Sequence, residues 1–147
     1  MNNTVSALNK EDADMTKISV AELQVILPVS NHTIRRFSRE DSKFPAPVII
    51  GRANYFDRAM IYKWLSSRAS AANTIQDSDV ILTTDQAGIL LGRSRAWVWK
   101  NITTNNQFTL VDLSPGAKSG KPKPYFIKRE VLEAFPDLAA IAAQKAA

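Results

Sequence analysis

The sequence predicts a mainly helical chain with small β-hairpins, of the α+β class. Three observations lead to this prediction. Apolar residues recur at helical spacing in segments that begin with Ser, Thr or Asp. Short apolar runs flank Gly-containing turns, as the strands of β-hairpins do. The second half of the chain also repeats the order of these features found in the first half.

The repeat has an offset of 64 residues. Ser19 and Glu22 lie over Thr83 and Gln86, and each pair has the spacing of a capping box at the start of a helix. Each copy continues with three apolar residues, a helix breaker and a serine placed to cap a second helix. In order, these are residues 25–27, Pro28 and Ser30 in the first copy, and residues 89–91, Gly92 and Ser94 in the second.

Each copy is predicted to end in a hairpin and a final helix. The offset changes to 70 here, because the second copy has about six extra residues. In the first copy, strands 48–50 and 54–56 flank a turn, and the final helix begins at Asp57. In the second copy, strands 110–113 and 125–127 flank a longer loop, and the helix 128–135 is stopped by Pro136.

The repeat divides the chain into five segments. They are a flexible N-terminal segment 1–17, a first unit 18–68, a linker 69–80, a second unit 81–136 and an Ala-rich tail 137–147. A unit of about 50 residues is at the lower limit for independent stability, so we expect the two units to pack together or to dimerise. The linker is expected to be flexible, unless its first residues extend the preceding helix.

The charge of +5 is distributed in two equal blocks. Residues 18–68 and residues 81–135 each carry eight Lys/Arg and four Asp/Glu, which gives +4 in each block. The stretch 69–80 between them carries −2. Two basic blocks fit two units that bind a polyanion, and a solvated surface without a partner explains the charge equally well.

Several protein classes receive no support from the sequence. There are no cysteines and one histidine, so no disulfide framework and no metal site are expected. No apolar run of 18 residues and no secretory signal pattern occurs, and a cytoplasmic protein is expected. The glycine, nucleophile and ligand patterns of common enzymes are missing, so we expect no enzyme, no cofactor and no small-molecule ligand.

Two helices joined by a tight turn and followed by a hairpin are the parts of a winged helix-turn-helix unit. The first copy resembles the AlpA-type regulators and phage excisionases of the MerR-like winged-helix superfamily, at residues 30–37, Phe44-Pro45, Gly51-Arg52 and 61–65. The resemblance implies that the helix after Ser30 enters the major groove of DNA and that the Gly51-Arg52 wing touches the backbone or minor groove. The second copy, with Phe108-Thr109 and a longer wing, matches less closely.

The expected DNA contacts of the first copy lie on its second helix and its wing. Ile34 and Phe37, three residues apart, take the core positions and leave polar side chains outward. Arg can read guanine and Asn can read adenine, whereas Arg36 or Arg39 could bind phosphate alone. His32 could equally be a plain surface residue. The candidate residues are Ser30, Asn31, His32, Thr33, Arg35, Arg36, Arg39 and Arg52.

In the second copy, Val98 and Ile102 take the core positions. Trp97 lies over Thr33, so it either faces DNA or belongs to the core. Lysines in the Gly/Pro-rich wing suit phosphate contact, although each could simply be solvated. The candidate residues are Ser94, Arg95, Trp97, Lys100, Lys118, Lys121 and Lys123.

The expected function is sequence-specific binding of double-stranded DNA, as a phage or mobile-element transcriptional regulator or an excisionase-like recombination directionality factor. A homodimer or a cooperative oligomer on DNA is compatible with it. Two alternatives remain open at this stage. One is a recognition protein for DNA packaging, similar to a small terminase subunit. The other is a winged helix used for protein–protein interaction, which the basic helix face disfavours.

Overall fold

The computed structural model describes residues 16–70, 75–105, 107–113 and 123–146. Within these residues the chain mixes helices with small antiparallel sheets, which confirms the predicted α+β class. The predictions for residues 1–15, Lys118 and Lys121 lie outside the described residues. None of the described helices is long and apolar enough to cross a membrane.

The first half of the chain, residues 16–70, contains three strands and three helices. The elements are β1 (Lys17–Ser19), α1 (Val20–Ile26), α2 (Asn31–Glu40), β2 (Val48–Ile50), β3 (Ala53–Asp57) and α3 (Arg58–Arg68). The strands form an antiparallel sheet in the order β1-β3-β2. Strand β1 was not predicted, because three residues are too few to show an alternating pattern. It includes Lys17, so the predicted flexible segment 1–17 is wrong at that residue.

The second half, residues 75–146, has the same order of elements and one more helix. The elements are β4 (Ile81–Leu82), α4 (Thr84–Leu91), α5 (Arg95–Val98) with a π-helical turn at Trp99–Thr103, β5 (Leu110–Val111), β6 (Tyr125–Ile127), α6 (Lys128–Ala134) and α7 (Pro136–Ala146). Its sheet has the order β4-β6-β5, so the middle strand again comes last in sequence.

Both predicted capping boxes are present. The Ser19 hydroxyl accepts the Glu22 amide at 3.1 Å, and the Glu22 carboxylate accepts the Ser19 amide at 3.1 Å. Thr83 and Gln86 form the same pair of bonds at 3.0 Å. Each box satisfies two amide groups at a helix start that would otherwise have no partner, and so fixes where α1 and α4 begin.

The predicted hairpin of the first half is also confirmed. Gly51 has a φ of 66°, which a two-residue hairpin turn requires and which glycine adopts without strain. Arg52 is therefore held at the tip between β2 and β3. Asp57 ends the hairpin and caps α3 by accepting the Met60 amide at 3.1 Å.

Residues at matching repeat positions are buried in both halves. With the offset of 64, the buried pairs include Ile18 with Leu82, Leu27 with Leu91, Ile34 with Val98, and Phe44 with Phe108. With the offset of 70, they include Phe56 with Phe126 and Ile61 with Val131. The same few positions therefore build the core in each half.

The two halves pack together, which was one of the two predicted outcomes. Ile81, Val111, Leu113 and Ile127 of the second half belong to the same buried cluster as the core of the first half. A second cluster, around Phe126 and Val98, lies within the second half alone.

The predicted linker is not flexible at either described end. Helix α3 stops at Arg68 and does not continue into residue 69. Ala69 pairs with Val111, and Asp79 is buried. The flexible-linker prediction is wrong for these residues because they have backbone and side-chain partners in both halves.

The Ala-rich tail is helical. Helix α6 ends before Pro136, as predicted, but the proline then begins α7. A proline fits the first turn of a helix, where its missing N–H has no partner to lose. Leu138 and Ala139 join the second core, and a Cβ on Gly92 would lie 3.3 Å from that of Ala142. Because Gly92 has no side chain, α7 can pack closely against the end of α4.

Candidate DNA interface

Helix α2 has one buried face and one basic face. Ile34 and Phe37 are buried, as predicted. His32, Arg35 and Arg39, which are three and four residues apart, lie together on the opposite side and are exposed. None of these three side chains forms a hydrogen bond or ion pair with the described residues, so their donors are available to a ligand.

Arg36 differs from its neighbours on the same helix. Its Nε donates to the Glu40 carboxylate at 2.8 Å, one turn further along. This pair partly neutralises Arg36, whose side chain is still 41% exposed. The structure therefore separates Arg36 from Arg35 and Arg39, which the sequence had grouped together.

The start of α2 is fixed by its cap. Ser30 accepts the Thr33 amide at 3.2 Å, and the two hydroxyl oxygens are 3.1 Å apart. Ser30 and Thr33 are thus occupied in holding the helix start, and Asn31 beside them is exposed. The predicted cap is confirmed, and the N-terminal end of the helix remains open to an anion.

The end of α2 is held by Asp41, which sequence reasoning missed. Its carboxylate accepts the Trp64 indole N–H at 3.0 Å and the Lys43 amide at 3.0 Å, and it pairs with Arg68. Burial would raise the pKa of Asp41, but these hydrogen bonds and the Arg68 charge outweigh burial and lower it. Asp41 therefore stays ionised and ties the end of α2 to α3.

Aromatic rings fill the space beneath α2. Phe44 lies with its ring centroid 4.9 Å from Trp64, 5.4 Å from Phe37 and 5.7 Å from Phe56. Tilted and edge-to-face pairs of this kind add to the stabilisation from buried area. This cluster and the Asp41 bonds give the basic face of α2 a fixed position relative to the hairpin.

At the tip of that hairpin, Arg52 is exposed and has no ion-pair partner among the described residues. Strand β2 beside it is also exposed, and Ile49 keeps 72% of its surface. The first half therefore presents a helix face and a hairpin tip that both carry exposed arginines without partners among the residues that the structure describes.

The corresponding helix of the second half is built differently. Ser94 caps α5 by accepting the Trp97 amide at 3.1 Å, as predicted. The chain then forms the wider π-helical turn. The core residues here, Val98 and Ile102, are four residues apart, whereas Ile34 and Phe37 of α2 are three residues apart. This extra residue moves the side chains that follow Val98 out of the register seen in α2.

The tryptophans of this region have different environments. Trp97 is half-buried, with its ring 5.2 Å from Phe135 and the Arg93 guanidinium 5.8 Å above it. Trp97 therefore packs against the core of the second half, and a core position was one of its two predicted roles. Trp99 keeps 51% of its surface exposed.

The cations of the second half are scattered around this helix. Arg95 and Lys100 are exposed, and the Arg95 Nε is 3.8 Å from the Asp85 carboxylate, with both side chains about 70% exposed. Lys123 is exposed at the end of the wing. An ion pair this exposed to water contributes little to stability, so Arg95 remains available to bind an anion.

The described residues contain no group of three or more metal-binding side chains. Anion binding through arginine, lysine and a helix start is the chemistry that these surfaces offer.

Residues 16–74 match the family model of the excisionase-like proteins. The excisionase-like segment begins at β1, includes the basic face of α2 and the Arg52 tip, and extends past the end of α3. It covers 59 of the 147 residues. No curated protein and no solved structure matches the chain significantly. The match supports a regulator of the excisionase type.

Proposed function

We propose that this chain binds specific sequences in double-stranded DNA through two tandem winged helix-turn-helix units of the MerR-like kind. It would act in recombination as a directionality factor or in transcription as a regulator, in the cytoplasm of a bacterial or phage-infected cell. One observation carries the proposal. The excisionase-like segment contains a capped, firmly packed helix on whose outer face Arg35 and Arg39 have no partner among the described residues.

Within the first unit, α2 would enter the major groove. The guanidinium groups of Arg35 and Arg39 have no partner in the described part of the chain and can form paired hydrogen bonds to guanine or a phosphate. Asn31 is exposed beside them and can pair with adenine. Arg36 is held by Glu40, so we assign it to phosphate contact.

Arg52 would contact the backbone or the minor groove from the hairpin tip. An arginine in the minor groove responds to groove width and negative potential more than to base identity. Arg52 would thus add affinity and a preference for DNA shape.

The second unit would contribute mainly phosphate contacts. Its shared element order and matching core positions support a winged helix-turn-helix unit. Its helix after Ser94, however, has Trp97 packed inward and a π-helical turn in place of a regular reading face. Arg95, Lys100 and Lys123 are exposed cations that can neutralise phosphates.

The test begins with selection of duplexes from a random library by the full chain, followed by titration of the enriched duplex in fluorescence anisotropy. Arg35→Ala should relax the base preference at one or two positions, by about 1–3 kcal/mol at each. Arg35→Lys keeps the charge but loses the planar fork, so it should retain affinity for random DNA while losing discrimination.

Lys145→Ala is the matched control, because Lys145 is an exposed cation on the terminal helix α7. It should leave both affinity and discrimination unchanged. If no duplex is enriched and the chain does not bind random DNA even in low salt, the proposed function is wrong. If Arg35→Ala weakens binding to all DNA sequences equally, α2 is not the helix that reads the bases.

A further inference from the structure

The hairpin of the first half carries three exposed apolar residues. Val48, Ile49 and Ile50 make up strand β2, and Ile49 is the most exposed of them at 72%. The strand lies at the edge of its sheet, and no described residue pairs with its outer side. Edge strands are usually covered or carry charged side chains, so an exposed apolar edge without charges indicates a binding surface.

The matching strand of the second half is covered. The Ser70 amide donates to the Leu110 carbonyl at 2.8 Å, and the Asp112 amide donates to the Arg68 carbonyl at 3.0 Å. Residues 68–70 therefore pair with the outer edge of β5. The exposed edge and apolar side chains of β2 are thus a property of the first half and not of the element order that both halves share.

Ile49 and Asn54 lie opposite each other on one face of the first hairpin. They are partners in the register of β2 and β3, and both are exposed. Since side chains alternate along a strand, Asn54 shares its face with Phe56, two residues further on. Phe56 is buried with its ring centroid 5.7 Å from that of Phe44, which also lies against Phe37 of α2. Ile49 and Asn54 therefore continue the face of the sheet that is turned toward α2, beyond the end of the core.

The side chains at this end of the hairpin match the chemistry of the minor groove of DNA. Arg52 at the tip suits the negative potential of that groove. The Asn54 amide has no hydrogen-bond partner among the described residues and can donate to the acceptors that A·T pairs present there. Ile49 can pack against sugars and base edges, as apolar side chains do in minor-groove proteins.

We infer that this hairpin reads the minor groove beside the α2 site, and that Ile49 and Asn54 make it select A·T pairs there. Guanine differs from adenine in this groove by its N2 amino group, which is a hydrogen-bond donor. With Ile49 over it, that amino group loses water and gains no acceptor, so a G·C pair is disfavoured. The inference rests on the proposed function, because α2 must place the hairpin on a duplex.

The apolar contact is separable from the charged one beside it. The minor groove is about 6 Å wide, so side chains of the hairpin enter it and the two strands do not. Ile49 neutralises no phosphate, so its truncation should leave the salt dependence of binding unchanged, whereas loss of Arg52 makes that dependence shallower. Selection between base pairs is then assigned to Ile49 and Asn54, and the response to groove shape to Arg52.

The experiment separates the two grooves with base analogues, using the full chain and the duplex enriched by selection. Inosine is guanine without the N2 amino group, and 2,6-diaminopurine is adenine with one. Each analogue therefore changes the minor groove and keeps the major-groove pattern of its parent base. At each base pair in turn, anisotropy titrations compare A·T, G·C, inosine·C and diaminopurine·T. At one or more pairs beside the α2 site, the wild-type chain should bind A·T and inosine·C about 10-fold more tightly than the other two.

Ile49→Ala should remove most of this difference, whereas Ile49→Val should keep it because valine retains a branched apolar side chain. Ile89→Ala is the matched control, since Ile89 is an apolar residue of α4 that is 79% exposed. It should show the wild-type preference among the four pairs. Because Ile49 is exposed, its truncation should leave the fold intact, which circular dichroism checks.

Three results would overturn the inference and leave DNA binding intact. In the first, inosine·C binds like G·C at every position, which assigns all discrimination to the major groove. In the second, Ile49→Ala keeps the wild-type preference among the four pairs. In the third, the wild-type chain sediments as a dimer, Ile49→Ala sediments as a monomer, and the four pairs lose affinity equally, which assigns β2 to pairing with a second copy. Failure to bind any duplex would instead reject the proposed function itself, and the inference with it.

Discussion

Replacing Ile127 by alanine tests whether the two halves form one cooperative structure. Ile127 is fully buried and faces the core of the first half from the sheet of the second. Ile127→Ala removes three carbon atoms from this contact and leaves a cavity between the halves. Truncation of a buried isoleucine to alanine costs about 2–5 kcal/mol in the free energy of unfolding.

The expected size of the effect follows from that range. A midrange cost of about 3.5 kcal/mol, with a urea dependence of about 2 kcal/mol/M, lowers the urea midpoint by roughly 1.8 M. A cost of about 3.5 kcal/mol is a large part of the free energy of unfolding of a small protein, which is typically about 5–15 kcal/mol. Ile49→Ala is the control, since Ile49 is 72% exposed on a strand and its truncation should change stability by about 0.5 kcal/mol or less.

The assay places the reporter in the half opposite the mutation. In a chain with Trp97 and Trp99 replaced by Phe, the remaining Trp64 lies buried in α3 and reports on the first half through its fluorescence. In Ile127→Ala, the urea midpoint measured by this fluorescence should fall by the full expected amount. The transition should also coincide with the one measured by circular dichroism. An unchanged Trp64 midpoint would show that the halves unfold independently and would refute the shared core.

Two further predictions follow from the charged side chains. Arg52→Ala should make the dependence of log affinity on log salt shallower by about 0.9, the contribution of one neutralised phosphate, whereas Lys145→Ala should not; an unchanged slope in anisotropy titrations would remove Arg52 from the DNA contacts. The second concerns Asp41, whose pKa is lowered below its ordinary value of 3.8 because its hydrogen bonds outweigh its burial. Its stabilising contribution is therefore present above about pH 4 and lost as the pH falls through the lower folded-state pKa. Asp41→Asn should destabilise the chain by a constant amount from pH 7 to 5, and the gap from wild type should narrow in more acidic solution. Urea unfolding across this range measures the gap, and a gap that stays constant down to pH 2.5 would contradict the role assigned to the carboxylate.

The features that the sequence could predict are those determined by neighbours along the chain. The capping boxes need only a hydroxyl and a Glu or Gln three residues later, as at Ser19 and Thr83. The hairpin tip needs a glycine at a position of positive φ, as at Gly51. The core positions of α2 follow from helical spacing, and the exposed arginines follow from that assignment.

The features that it missed depend on contacts between distant residues. Strand β4, with the two residues Ile81 and Leu82, was not predicted, whereas β6, which reads Tyr-Phe-Ile, was. Consecutive apolar residues in such short strands indicate burial on both faces, but they do not reveal which element covers the second face. Asp41 and Asp79 gave no signal for a similar reason, because their side-chain partners Trp64, Arg68 and Arg129 lie 23 to 50 residues away.

The difference between a flexible link and a fixed junction changes what the protein can recognise. A flexible link gives a second DNA-binding unit an effective concentration in the millimolar range over many separations, so the two parts of a site could vary in spacing. With Ile81, Val111 and Ile127 buried against the first half and the Tyr62 hydroxyl bonded to the Asp79 carbonyl, a search over separations is replaced by one arrangement. Under the proposed function, the base contacts of α2 then determine which phosphates the second half reaches, which suits a helix whose inward-packed Trp97 and π-helical turn are poorly placed for reading bases.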